Sequence, residues 1–272
     1  KEKLRAQLEQ ERQKLLAEKQ QQEKAIEQLK NRESEIAAEL KEKEARARKL
    51  ENEIQRIIAA EIRRAKDKAI RQGIEEEAER VGLIAGKDFT GRTSNRDLKA
   101  LIEKKKKELR EANKPVAEAE SKPAYELTPE ATRLAASFTA NRSLLPWPVE
   151  RGIVVANFGP QRHPVAKSVV LNNNGIDIAT EKGSTALASF DGEVTSILRI
   201  PAEGFVVFVK HGNYFTIYKN LSELFVKTGD QVAARQELGR ILTNEADGKT
   251  VLHFELWKET QVLDPMPWLA KK

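Results

Sequence analysis

The sequence predicts a multidomain α plus β protein: a long coiled-coil helix, then short helices, then a C-terminal, mainly antiparallel β domain. Three observations carry this reading. Of 272 residues, 33% are charged and only 6% aromatic, too little apolar content for one large core. The first 80 residues contain no proline, and the first glycine is Gly73, the absence of breakers that a very long helix requires. After Pro148 the texture changes to short alternating stretches punctuated by glycine, among them GEVTSILRI, GFVVFVKHG and VLHFELW, which read as strands and turns.

Residues 1–81 form the first element. Its apolar residues recur by threes, fours and sevens: Leu4, Leu8, Leu15, Ile26, Leu29, Ile36, Leu40, Ala47, Leu50, Ile54 and Ile57. That is a heptad seam, with a stutter near Gln22. The helix would extend about 120 Å. So narrow a seam needs a partner helix. The favoured partner is a segment preceding Lys1, folded back as an antiparallel hairpin; a second chain is the alternative. Lys1 is not Met and already lies in the helical pattern, so a natural N-terminus and any signal peptide are expected before it.

Residues 82–112 supply a loop, GLIAGKDFTGRTSNRD, and a short helix capped by Ser94 or Asn95. That helix carries Lys104 to Lys107, read as a solvated face. Residues 113–127 are a Pro/Ala/Glu-rich flexible linker. At 128–145, Thr128 is an N-cap, Pro129 sits at the first helical position, and Leu134, Phe138 and Leu145 lie on or near one face. This helix either supports the following domain or lies across a functional groove as a restraining element. Residues 146–272 form the β domain.

The net charge of +6 comes from Lys and Arg interspersed with Glu, as on solvated helices, so no nucleic-acid partner is expected. The chain has no cysteine, which removes thiolate metal sites and leaves the compartment undecided. No run of about 18 apolar residues is present.

All three histidines, His163, His211 and His253, fall in the β domain. The ordered stretches FGPQRHP, NNNGIDIA, KGSTALASFDGEV, VKHGNYFTIYKNLS, VKTGDQVAARQELGRI and VLHFELW resemble the LytM or lysostaphin-type zinc peptidase domain. The resemblance implies zinc held by a His and an Asp of an H-x-G-x-D stretch and by the last His of H-x-H, with two further histidines assisting the attacking water. Here Asp177 and His253 match. Asn173 takes the first ligand position, Val251 the first His of H-x-H, and Asn220 the remaining histidine. A catalytic zinc takes three protein donors and a water. An amide and a valine supply neither ligand nor proton relay. The expectation is therefore no cofactor and no catalysis, with Asp177 and His253 surviving as a hydrogen-bonded pair.

A coiled coil, a linker, a helix and a degenerate LytM domain together are similar to the EnvC-type murein hydrolase activators. That resemblance implies a periplasmic protein whose groove binds and activates an N-acetylmuramoyl-L-alanine amidase. Its coil would dock to an FtsEX-like membrane complex, and peptidoglycan is a further partner. The helix at 128–145 would restrain the groove. The groove residues by position are Arg162, Asn173, Asp177, Tyr218, Asn220, Val251, His253 and Trp257. The competing enzyme reading is a residual zinc endopeptidase cutting peptidoglycan cross-links.

Overall fold

The computed structural model describes residues 2–112, 127–162, 170–201 and 203–271. His163 and nearly all of the expected linker lie outside the described residues, as does the side chain of Arg162. The chain divides into two compact units, residues 1–56 and 57–272.

The first unit is helical. Helix α1 spans Glu2–Arg80 without interruption, as the absence of breakers predicts. Within residues 1–56, Leu15, Ile26 and Leu29 are 62%, 52% and 67% exposed, and ion pairs such as Arg46–Glu42 decorate the surface. No helix among the described residues is long and apolar enough to cross a membrane.

In the second unit, the end of α1 packs with α2 (Asn95–Glu111). Ile74, Ala78, Val81, Leu83, Phe89, Leu98 and Ile102 form their small core. Ser94 caps α2 by accepting from the Asp97 amide, satisfying a donor that the helix leaves orphaned. The glycine-bearing connection is ordered by Arg71, which donates to Glu75 (2.6 Å), to the Thr90 carbonyl (3.0 Å) and to Asn95 (3.1 Å). Lys106 departs from the expected solvated run: it donates to Glu77 of α1 at 2.7 Å, and that hydrogen bond raises its pKa.

Helix α3 is Pro129–Ala140, capped by Thr128. Twelve strands follow: β1 (Ile153–Ala156), β2 (Gly159–Arg162), β3 (Val170–Asn173), β4 (Ile176–Thr180), β5 (Thr185–Leu187), β6 (Gly192–Ile200), β7 (Gly204–His211), β8 (Tyr214–Leu224), β9 (Gln231–Val232), β10 (Glu237–Ile241), β11 (Thr250–Lys258) and β12 (Gln261–Leu263). The principal sheet runs β1-β4-β11-β8-β7-β6-β9, and β2 pairs with β3 separately; every strand pairing described is antiparallel. Successive side chains in a strand face opposite sides. Val207, Val209, Tyr214, Tyr218, Leu252, Phe254 and Leu256 point into the core. The alternate residues Val206, Phe208, Lys210, Phe215, Ile217, Lys219, Val251, His253, Glu255 and Trp257 therefore share the other face.

Helix α3 is a core element at the β7–β8 turn. Phe138 is fully buried and stacks on His211 (ring centroids 5.0 Å) and Tyr214 (4.7 Å), with Trp268 at 5.5 Å. Gly212, at φ +74°, allows this close approach: a Cβ there would lie 2.4 Å from the Ala131 carbonyl oxygen and 2.6 Å from Ala135 Cβ. Leu145 lies beyond the helix and is buried, exchanging backbone bonds with Trp268 and Ala270. Leu134 is only half-buried.

The restraining role expected of 128–145 does not fit this placement. Tyr214, which α3 contacts, pairs with Lys258, whereas His253 pairs with Lys219; five residues of strand, about 17 Å, separate the two rows. Phe138, moreover, enters the opposite face of the sheet.

Burial of His211 has a measurable consequence. Its Nδ1–H donates to the Asp191 carbonyl (2.6 Å), which can only accept, so Nε2 accepts from Thr216 Oγ1 (2.8 Å). The ring is neutral, and burial pushes its pKa down to about 4. The unfolded chain, with an ordinary histidine pKa of about 6.5, binds this proton first. Stability is thus full above about pH 6.5 and falls by up to about 1.4 kcal/mol per pH unit down to about pH 4. Melting temperature measured from pH 7 to 4.5 should show this slope, and His211→Gln should flatten it.

Candidate functional site

The site is a row across three neighbouring strands. Gly175 brings the start of β4 against β11 so closely that a Cβ would meet the Phe254 carbonyl oxygen at 2.2 Å. That approach explains the glycine in NNNGID as a packing requirement. It sets Asp177 directly across from His253, which on its other side faces Lys219 of β8. Glu255 and Trp257 follow His253 at a spacing of two and share its face.

These groups form one hydrogen-bonded chain. His253 Nδ1 lies 2.5 Å from Asp177 Oδ1, and Nε2 lies 3.0 Å from Glu255 Oε1. Lys219 donates to the same Glu255 oxygen, and Trp257 Nε1–H donates to Glu255 Oε2 at 2.7 Å. Both ring nitrogens of His253 face carboxyl oxygens, an arrangement that favours the charged ring. Burial works against this charge, but the hydrogen bonds to Asp177 and Glu255 outweigh it and raise the pKa. Glu255 is fully buried. Burial alone would raise its pKa, yet Lys219 and His253 bring it down to about 2.

The other positions that the resemblance assigns to zinc chemistry do different work. Asn173 Oδ1 accepts from the Gly175 amide at 3.2 Å. Asn220, at φ +68°, donates from Nδ2 to the Val251 carbonyl at 3.2 Å. Asn220 and Val251 border an open cleft of about 550 Å³, lined also by Thr243, Asn244, Asp247 and Lys249. Among the described residues no group of three or more His, Asp or Glu is arranged to hold a metal ion. The donor set agrees: one carboxylate and one imidazole fall short of the three protein donors that a catalytic zinc takes.

Two expected groove residues are corrected by their burial. Tyr218 is fully buried on the core side, opposite Phe254, where its hydroxyl accepts from the Ser189 amide at 2.8 Å. Trp257 lies on the site's face but is also fully buried. Sequence reasoning missed Lys219 and Glu255. The signal was present in VLHFELW, where strand alternation puts His253, Glu255 and Trp257 on one side.

Part of this face is covered by α1. Val206, Phe208, Phe215, Ile217 and Trp257 have no more than 1% exposure, and Ile58 has none. Ile62, Ala65 and Lys66 of α1 share a small cleft with Lys210, Gly212, Phe215 and Glu259. Glu61, itself buried, favours the charge on Lys210, whose pKa burial lowers. Residues 61–68 thus border the Lys210–Phe215 end of the face, while the Asn220–Val251 end opens to the cleft.

Residues 171–265 match the family model of Peptidase family M23, in keeping with a LytM-like antiparallel β domain. Among similar proteins is the peptidoglycan DD-endopeptidase ShyA of Vibrio cholerae, 37% identical over 105 residues, covering 38% of this chain and 24% of that protein. The murein hydrolase activator EnvC of Escherichia coli is 29% identical over 126 residues, covering 46% and 29%. Stage II sporulation protein Q of Bacillus subtilis is 33% identical over 104 residues, covering 36% and 37%. The chain spans less than two fifths of each relative's length. An endopeptidase and a hydrolase activator are thus both among its relatives.

Proposed function

We propose that the protein is a non-catalytic activator of a periplasmic peptidoglycan amidase, acting at the cell-division site. The observation that carries this reading is that Asp177 and His253 alone remain of the expected zinc and relay set, while Asn173 accepts from the Gly175 amide and Asn220 donates to the Val251 carbonyl. Water needs a metal or a free base to become a nucleophile at neutral pH; this row has too few donors for a catalytic zinc, and its one imidazole is bonded at both nitrogens. What remains is a surface with an apolar part and an adjoining polar cleft, suited to an amphipathic helix of a partner.

In this reading the face is autoinhibited by α1. Residues 61–68 border its Lys210–Phe215 end, and an amidase helix competes for the same place. The seam of residues 1–56 forms a coiled coil that docks to an FtsEX-like membrane complex, and movement of that complex shifts the population from covered to open. Similarity to EnvC supports the activator class, while similarity to ShyA supports the competing one, a zinc endopeptidase.

A dye-release assay on purified peptidoglycan separates them. The chain alone should release nothing, and adding it to a division amidase should accelerate that enzyme. An Asn220→Arg variant, which fills the cleft mouth, should reduce the stimulation about tenfold or more, as for a disrupted interface anchor. Release by the chain alone, abolished by Asp177→Ala, would establish the endopeptidase instead.

A further inference from the structure

We propose that the ammonium group of Lys219 is the resident cation of this site, supplying through Glu255 the positive charge that a divalent metal supplies in a zinc peptidase. The inference rests on the non-catalytic reading above and assigns a role to a residue outside the metal-site motifs.

The strand register supplies the first argument. Lys219 lies across from His253 on the side opposite Asp177, so β8 delivers a positive charge into the row that β4 and β11 supply with carboxylates. Its side chain is 12% exposed, and that of Glu255 is fully buried. A buried carboxylate is retained as an anion only beside a compensating charge. Glu255 Oε1 receives both Lys219 and His253, and Oε2 receives Trp257, so its acceptor capacity is taken up by donors of this chain.

The second argument concerns what a metal would have to displace. To bind at Asp177 and His253, a divalent ion must break the bond between them, which measures 2.5 Å. It would then add two positive charges beside the Lys219 ammonium. With the lysine present this is unfavourable. Without it, Asp177, His253 and Glu255 are left with an excess of negative charge that an added cation relieves. Lys219 thus keeps the face assembled without metal and also excludes metal from it.

The test uses the intact chain, with melting temperature and bound-metal content as readouts. Wild type should hold no zinc after dialysis, and its melting temperature should move with neither zinc nor chelator. Lys219→Met removes one partner of a buried pair and should lower the melting temperature by about 6–20 °C. Zinc should then recover part of that loss in the variant only. Lys219→Arg, which keeps the charge, and the double variant Lys219→Met/Glu255→Gln, which removes both charges, should each melt well above Lys219→Met.

A Lys219→Met protein that melts like wild type, or that zinc does not stabilise, overturns the proposal and leaves the amidase-activator reading standing. Wild type holding one zinc per chain overturns the proposal and the non-catalytic reading together. If Lys219→Met does not fold, the double variant decides: a folded double variant supports the charge argument, and an unfolded one contradicts it.

Discussion

Ile58→Asp is expected to raise amidase stimulation by about tenfold or more. Ile58 is fully buried on α1, one turn before the residues that border the Lys210–Phe215 end of the site's face, and Glu61, Ile62, Ala65 and Ala69 continue its side of the helix at spacings of three and four. Those spacings keep a helix on one face of its neighbour. Removing a buried isoleucine costs about 2–5 kcal/mol, and burying an aspartate in its place costs more. If the covered form is favoured by about 3 kcal/mol, fewer than about 1% of molecules are open at rest, and the substitution makes the open form the majority. Circular dichroism should show the β domain still folded. Unchanged stimulation by a folded Ile58→Asp protein would mean that α1 does not control access.

Phe138→Ala should behave in the opposite way. Phe138 has no exposure and stacks on His211 and Tyr214 while contacting Trp268. Its truncation costs about 3–5 kcal/mol. For a unit of this size that corresponds to a fall of about 6–20 °C in melting temperature. Because α3 lies at the β7–β8 turn, stimulation measured well below the melt should not rise. A variant that melts normally and activates the amidase would restore α3 to the restraining role that its position in the sequence suggests.

The contrast between these two helices shows what a single sequence conveys. The length of α1 was legible because nothing breaks it, and Ser94 and Thr128 identified two helix starts because capping is local chemistry. The β domain was legible from alternation and turns, and Asp177 and His253 were placed correctly as a bonded pair. The role of α1 beyond Arg56 was not legible, since Ile58, Ile62 and Ala65 look the same whether they pack on another helix or on a sheet. The place of α3 was hidden for a related reason: an apolar stripe does not name its partner, and only the fold brings His211 and Tyr214 beneath Phe138.

Tyr218 and Trp257 illustrate the limit of motif position. Tyr218 stands one residue from Lys219, and in a strand one residue decides between core and surface. The bulge between Phe205 and Val207 and the left-handed turn at Asn220 alter register in ways that no pattern count anticipates. Glu255 was readable by parity from His253. Its full burial was not, because that depends on Lys219 and Trp257 arriving as partners.

The most direct test is to incubate the metal-supplemented, purified chain with cross-linked peptidoglycan, alone and with a division amidase, and to analyse the soluble products by mass spectrometry. The account predicts no products from the chain alone and, in the mixture, a faster yield of glycan strands freed of their peptides. Muropeptides cut within the cross-links by the chain alone would contradict it.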